Sequence, residues 1–216
     1  MKEHIEDTIT GGMWIFLASF TVSLVGFVFW LIIAKFTDVK SIGIASTIVS
    51  TANLATLLVS SGMNIAVIRE VAAKDSKGVL AALILSSILS LPITILAATL
   101  IMHTQYEEYM YYTIFLAVLS IYMISLLNSL IGLEKFRQYF IALTTGATLR
   151  LIVSMIMALF KFRTLAVLMG FIANYLTTIS MSMLFLAPRL KNNTKLIFEY
   201  LKDSLKDIMI LTYSNY

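Results

Sequence analysis

Six long apolar runs, separated by short polar segments, dominate the pattern of the chain. Each run exceeds the roughly 18 residues that a helix needs to cross a bilayer. The runs are continuous rather than alternating between apolar and polar positions, which favours helices over the strands of a membrane barrel. The pattern therefore predicts an all-α, polytopic membrane protein with spans at about 11–34, 41–67, 78–102, 110–132, 138–160 and 165–187.

The domain organisation follows from these spans. Residues 1–187 are expected to form one six-helix lobe. Residues 188–216 are expected to form a cytoplasmic linker and the start of a seventh helix, because the final apolar run in "DSLKDIMILTYSNY" is too short to cross the membrane. We therefore expect one lobe of a longer or paired protein, such as a split gene product or a fragment.

Composition supports a membrane protein and argues against several other classes. The chain is 59% hydrophobic and 13% charged, whereas soluble domains are about 45–50% apolar and about 25% charged. Its net charge is +4, but the basic residues form short clusters between apolar runs, as in membrane-flanking loops rather than a nucleic-acid surface. With no cysteine in the sequence, disulfides and thiolate metal sites are excluded.

The basic residues are distributed unequally between the two sides of the predicted lobe. The N-terminus, the second and fourth connecting segments and the C-terminal tail carry eleven lysine and arginine residues, and the other segments carry four. Basic segments stay in the cytoplasm. We therefore expect a multi-pass protein of the cytoplasmic membrane with its N-terminus in the cytoplasm.

Arg150 is the one charged residue well inside an apolar run, in "TTGATLRLIVSMIMALF". It lies about ten or more residues from either end of its span, or roughly 15 Å at a rise of about 1.5 Å per residue. A side chain that deep should face the bundle interior or a wet cavity, because an arginine in lipid is costly. Gly146, Arg150 and Ser154 form one small and polar line on the helix, which favours a position facing a cavity.

Two roles for Arg150 remain open on the residues alone. No Asp or Glu lies in any of the six spans, so an anionic ligand is a natural partner, and the arginine fork suits phosphate. Alternatively, Arg150 bonds backbone carbonyls or asparagine side chains and only fixes the packing. Asn53 and Asn174, amides inside the second and sixth spans, either line the cavity or form bonds between helices. The candidate cavity residues are Arg150, Ser154, Asn53 and Asn174.

The sequence contains none of the common hydrolase, phosphate-loop, dinucleotide or zinc-protease motifs, and its two histidines are isolated. We therefore expect no catalytic residues, no metal site and no cofactor, and a role other than that of an enzyme.

The chain resembles the polysaccharide biosynthesis proteins of the oligosaccharide-flippase type, in the multidrug/oligosaccharidyl-lipid/polysaccharide exporter superfamily. The resemblance rests on a first span that ends at Lys35, on Gly43 entering the second span, and on "SSGMNIAVIRE", which contains Gly62 and Arg69. It continues in "GLEKFRQYF" before the fifth span and in the arginine of "TLRLIVS" within it.

This resemblance implies a carrier that moves a polyprenyl-pyrophosphate-linked oligosaccharide to the outer leaflet, by rocking of two six-helix lobes around a cationic cavity. Arg150 would then draw the pyrophosphate into the cavity, and Arg69 and Arg137 would attract it at the cytoplasmic mouth, although membrane anchoring explains these two equally well. The implied partners are membrane lipid, the lipid-linked anionic oligosaccharide, a second six-helix lobe and glycan-synthesis proteins, but no nucleic acid.

Three alternatives stay open. A cation-coupled multidrug exporter of the same superfamily would depend on a carboxylate in the first span, which has none in this chain. The residues quoted above do not distinguish an oligosaccharide flippase from a flippase for a lipid-linked peptidoglycan precursor. A six-span membrane scaffold that binds synthesis proteins without transporting anything belongs to a different class.

Overall fold

A computed structural model describes residues 2–190, with side chains from residue 9 onward. Over this range the chain is helical, with no strand. The α-helices are α1 (Lys2–Phe36), α2 (Val39–Ser60), α3 (Met63–Lys74), α4 (Ser76–Met102), α5 (Met110–Gly132), α6 (Phe136–Leu159) and α7 (Thr164–Leu190), and a short 3₁₀ turn (Glu107–Tyr109) precedes α5. All except α3 are long and apolar enough to cross a membrane. The predicted all-α, six-span class is confirmed, and the proposed start of a seventh helix lies outside the described residues.

The second predicted span differs from the structure. The apolar run over 41–67 is divided into two helices, because α2 ends at Ser60 and α3 begins at Met63. At the division Gly62 adopts the left-handed conformation, with φ of 80°, which glycine adopts without the steric cost that a side chain adds. Ser60, Ser61 and Asn64 lie beside Gly62, but such small polar residues also occur inside continuous membrane helices, so the hydropathy of the run does not reveal the break. Most of the segment predicted to connect spans two and three is therefore the helix α3.

The connections between helices meet at two opposite ends of the bundle. At one end, the Lys135 ammonium donates a hydrogen bond to the Phe185 carbonyl at 2.6 Å, and Arg189 forms an ion pair with Asp75 at 2.8 Å. These contacts join the second connecting segment, the fourth and the end of α7, which the charge analysis places on one side. The structure thus supports that grouping, and which end faces the cytoplasm stays a prediction.

Small residues let the helices approach closely, as is common in membranes. A methyl group on Gly146 of α6 would lie only 2.9 Å from the backbone oxygen of Asn174 in α7. On Gly78 of α4 it would lie 2.6 Å from the backbone oxygen of Glu70 in α3. These backbones are in direct contact. Helix α1 packs mainly against α6 and only marginally against α2, the helix that follows it in the chain.

Polar side chains join the helices inside the bundle. The Thr56 and Ser120 hydroxyls are 2.6 Å apart between α2 and α5. The Asn128 amide of α5 donates to the Asn64 side-chain oxygen of α3 at 2.8 Å. Asn128 therefore connects two helices, which is the role that a single amide inside an apolar span favours.

Asp38 begins α2, and its carboxylate accepts hydrogen bonds from the backbone N–H and the hydroxyl of Ser41, both at 2.8 Å. The bonds from Ser41 hold the pKa of Asp38 below its usual value of 3.8. A carboxylate whose folded pKa is lowered stabilises the protein above the unfolded pKa, and this contribution is lost as the pH falls through the folded pKa.

We expect Asp38→Ala to lower the thermal unfolding midpoint of the purified protein at neutral pH, because the first turn of α2 loses its cap. Asp38→Asn keeps an oxygen acceptor and serves as the matched control, with most of the stability retained. The difference between wild type and Asp38→Ala should shrink as the pH falls below about 3.8. Equal midpoints for wild type and Asp38→Ala at neutral pH would contradict the capping role.

Candidate functional site

Arg150 lies deep in the bundle, where α1, α6 and α7 meet. It is at least nine residues from either end of α6, or about 13 Å along the helix axis. Its side chain is 9% exposed. The guanidinium carbon lies 4.8 Å from the centre of the Phe29 ring of α1 and 4.9 Å from that of the Phe171 ring of α7. Both distances are within the range of attraction between a cation and an aromatic face, about 6 Å.

The guanidinium is incompletely satisfied by the protein. Its Nε atom is buried and has no hydrogen-bond partner among the described residues. Over the same part of the chain, the ion pairs formed by carboxylates involve lysine and arginine residues other than Arg150. Helix α1 packs close to it, since a methyl group added to Gly26 would lie 3.4 Å from one terminal nitrogen of the guanidinium. Arg150 is thus a buried cation whose attractive contacts are two aromatic rings.

The line formed by Gly146, Arg150 and Ser154 does not face one cavity. Gly146 contacts α7 at Asn174, and Ser154 is fully buried against Gly170 of α7. Small residues on this line allow the two helices to touch, so Gly146 and Ser154 belong to the interface between α6 and α7. Arg150 diverges from them because its long side chain reaches past that interface to the ring of Phe29 on α1.

Asn174 belongs to α7 and faces α6, whereas Asn53 belongs to α2 and contacts another side of α7. Asn174 is half-buried beside Gly146. Asn53 of α2 is exposed, and its side-chain oxygen accepts a hydrogen bond of 3.1 Å from the Tyr175 hydroxyl. The four candidate cavity residues therefore do not form one cluster. Arg150, Ser154 and Asn174 lie along the α6–α7 interface, and Asn53 lies beyond Tyr175.

Tyr175 links the two groups and was missed by the sequence analysis. Its side chain is 5% exposed, its ring centre lies 6.4 Å from that of Phe171, and it is close enough to Arg150 for an electrostatic interaction. One signal was present in the sequence, since Phe171 and Tyr175 are four residues apart and so share a helix face. A second missed residue, Phe29, gave no such signal.

Tyr175 also borders a polar cavity of about 370 Å³ between α2, α5 and α7, which we call the break cavity. It opens where α2 ends and α3 begins. Its polar side chains are amides and hydroxyls, from Asn53, Thr56, Ser60, Ser61, Asn64, Ser120 and Tyr175.

Arg69 and Arg137 are the residues predicted to lie at the cytoplasmic mouth. Both lie at the end of the bundle where Lys135 and Arg189 make their contacts. Arg69 is on the exposed face of α3. Arg137 is exposed near the start of α6 and borders a separate cavity of about 300 Å³, together with Trp14 and Glu134. The structure therefore places both arginines on the surface, apart from Arg150.

The helices define a class, a multi-pass α-helical membrane protein whose apolar surfaces suit contact with lipid. Comparison with known proteins adds no narrower identity, since no family model, no curated protein and no solved structure matches the chain. The resemblance to oligosaccharide flippases stays a prediction from the residues quoted above.

Proposed function

We propose that the chain is a membrane transporter that flips a polyprenyl-pyrophosphate-linked oligosaccharide across the cytoplasmic membrane for polysaccharide biosynthesis, as one lobe of a longer or paired transporter. The observation that carries this proposal is the buried guanidinium of Arg150, which among the described residues has no carboxylate partner and an unpaired Nε. In this proposal the N-terminus is cytoplasmic, and the lipid-linked anion is the main partner.

The physical argument concerns the cost of a buried charge. A guanidinium that leaves water loses its hydration, and the attraction of two aromatic rings replaces only part of it, about 0.5–2 kcal/mol per contact. A pyrophosphate would supply the opposite charge and acceptors for the N–H groups in a bidentate arrangement. An anionic ligand therefore gains most at this position, and a neutral one gains little.

Transport is tested by expressing the chain in a host that lacks its own polysaccharide flippase, with membrane levels checked by immunoblot. We expect surface polysaccharide to be restored when the chain is present and absent with an empty vector. An inserted chain that restores no polymer, alone or with a second copy of itself fused in tandem, would count against the proposal.

Binding provides a second readout that does not need a complete transporter. In nanodiscs of neutral lipid, the purified chain should retain radiolabelled polyprenyl pyrophosphate at least about tenfold better than polyprenol of equal chain length, a difference of about 1.4 kcal/mol. Equal retention of both lipids would contradict recognition of the pyrophosphate.

A second candidate, the non-transporting six-span scaffold, is favoured by one specific observation. The guanidinium of Arg150 lies over the chain's own Phe29 and Phe171 rings, so the arginine could serve to hold α1 and α7 against α6. The scaffold role requires Arg150 for folding, whereas the flippase role requires it for the ligand. This difference decides the design of the Arg150 variants described in the Discussion.

A further inference from the structure

The break between α2 and α3 lies within the depth of the helical bundle rather than at its end. Gly62 borders the break cavity together with Ile124 of α5. Since α5 continues to Gly132, Ile124 lies eight residues, or about 12 Å, inside that end of α5. Beyond the break, α3 stays against α5, because Asn64 bonds Asn128. The interrupted helix therefore packs against α5 at this level on one side, while Leu57 and Ile65 beside the break are exposed.

Non-helical backbone at membrane depth is tolerated only where protein covers it or where it lines a water-filled cavity. The end of α2 leaves carbonyl groups, and the start of α3 leaves N–H groups, without partners in their own helices. The break cavity lies directly beside them. Its volume of about 370 Å³ would hold on the order of ten waters, at about 30 Å³ each. We expect water to fill it in the absence of a ligand.

The wall of the break cavity combines uncharged polar groups with a larger apolar surface. No lysine, arginine, histidine or carboxylate is among the residues that line it. Side-chain amides and hydroxyls offer both donors and acceptors, and the two helix ends add carbonyls and N–H groups. An ion of either sign would therefore find no formal charge to pair with. A neutral group that both donates and accepts would find hydrogen-bond partners on the polar part of the wall.

The remaining wall is apolar, and it favours one kind of neutral ligand. Leu57, Met123 and Ile124 supply this part. A sugar ring carries hydroxyls that donate and accept along its edge and C–H groups on its faces. We propose that the break cavity is a binding site for a neutral sugar unit, with Asn53, Asn64 and Tyr175 among the groups that bond its hydroxyls. The inference does not depend on transport, since it concerns binding alone.

The position of Tyr175 gives the site a second property. Its hydroxyl reaches Asn53 at the cavity, and its ring lies beside Phe171, which contacts Arg150. One side chain thus separates a neutral polar cavity from a buried cation. A ligand with a neutral sugar next to an anionic group would match the two sites in order, and a free neutral sugar would occupy the cavity alone.

The test uses the absence of native cysteine, which makes single-cysteine variants unambiguous. Ser61→Cys places a thiol at the cavity, and Ile88→Cys, at 45% exposure in the middle of α4, is the lipid-facing control. A water-soluble, charged methanethiosulfonate reagent should modify Ser61→Cys at least about tenfold faster than Ile88→Cys, because the reactive thiolate forms in water. Equal rates would overturn the water-filled cavity and the proposal with it.

Protection from this reagent then tests the ligand. The full chain, purified in a polyoxyethylene detergent that carries no sugar, is treated with maltose, with dodecyl maltoside or with glucuronate, which resembles glucose but carries a charge. We expect the neutral sugars to slow modification of Ser61→Cys severalfold and glucuronate to have no effect. Protection by free maltose indicates that a soluble sugar suffices, and protection by dodecyl maltoside alone indicates a membrane-borne sugar; both results support the site.

Asn53→Leu in the Ser61→Cys background should keep the fast modification and lose the protection, because one amide of the wall is gone. Protection that survives Asn53→Leu unchanged, that glucuronate provides equally, or that neither neutral sugar provides would overturn the proposal. A chain that fails to restore polysaccharide but is protected by neutral sugar would retain this site and lose the flippase role. The two proposals therefore fail separately.

Discussion

Replacing Arg150 with leucine is expected to abolish polysaccharide export without lowering the amount or the thermal stability of the inserted protein. The side chain of Arg150 is 9% exposed, and within the part of the chain that the structure describes its guanidinium has no carboxylate partner. Exchanging a buried charge of this kind for an apolar side chain of similar volume is often neutral or stabilising. The loss should therefore appear in the binding of the pyrophosphate and in transport. It should not appear in folding.

The size of the effect depends on the geometry of the cation as well as on its charge. Arg150→Lys keeps the charge but loses the planar fork that grips a phosphate through two parallel bonds. We expect at least about a tenfold loss of polyprenyl pyrophosphate retention for Arg150→Leu and an intermediate loss for Arg150→Lys, since each hydrogen bond to a charged group contributes about 1.5–3 kcal/mol. Both variants are measured for retention in nanodiscs and for export in the flippase-deficient host.

Lys40→Met is the matched control, because Lys40 is exposed at the start of α2 and its removal changes the net charge equally. It should leave export unchanged. Export that persists in Arg150→Leu would contradict the flippase proposal. A lower unfolding midpoint in Arg150→Leu, together with a loss of export, would instead assign Arg150 to the packing of Phe29 and Phe171 and would favour the scaffold.

The second large effect is expected at Gly146, where α6 and α7 touch. A methyl group there would lie 2.9 Å from the Asn174 backbone oxygen and 2.7 Å from its side-chain oxygen, and closer still to the Thr178 hydroxyl. Side chains can turn aside, but the backbone oxygen moves only with its helix. Gly146→Ala must therefore separate α6 from α7, and Gly146→Leu must separate them further.

Overpacking of this kind typically costs about 1–3 kcal/mol and occasionally more. We expect Gly146→Ala to lower the unfolding midpoint in detergent by several degrees and Gly146→Leu to prevent recovery of monodisperse protein. Gly43→Ala provides the control, since nothing lies within 4 Å of a methyl group added in α2, and it should be neutral or slightly stabilising. Equal midpoints for Gly146→Ala and Gly43→Ala would refute the close contact.

The membrane-spanning helices could be predicted from the sequence, because an apolar run must reach a minimum length to cross a bilayer. The sequence was also sufficient for the depth of Arg150, which requires only counting along one helix. It was not sufficient for the break at Gly62, because the small polar residues beside it, Ser60, Ser61 and Asn64, also occur inside continuous membrane helices. In that case the conformation of one residue decides whether a run is one helix or two.

The partners of Arg150 could not be predicted for a different reason. Phe29 lies in the first helix and Phe171 in the last described one, and phenylalanine is common throughout the chain. The bond between Tyr175 and Asn53 likewise joins positions 122 residues apart. Such pairs depend on which helix faces meet, and periodicity along one helix does not specify its neighbour. The cationic cavity that the resemblance implies between two lobes stays a prediction, and within this lobe Arg150 and the break cavity lie on either side of Tyr175.

The arrangement of α1 has a consequence for the order of assembly during synthesis. Of the described helices, α1 leaves the ribosome before the others, but it packs mainly against α6 and only marginally against α2. About 100 residues separate Phe36, the end of α1, from Phe136, the start of α6. At a synthesis rate of about 5–20 residues per second, α1 must remain in the lipid for roughly 5–20 seconds before its main partner has even begun to emerge. Through that interval its exposed phenylalanines can meet other membrane proteins, and a chaperone or insertase that shields them would govern the yield of the folded bundle.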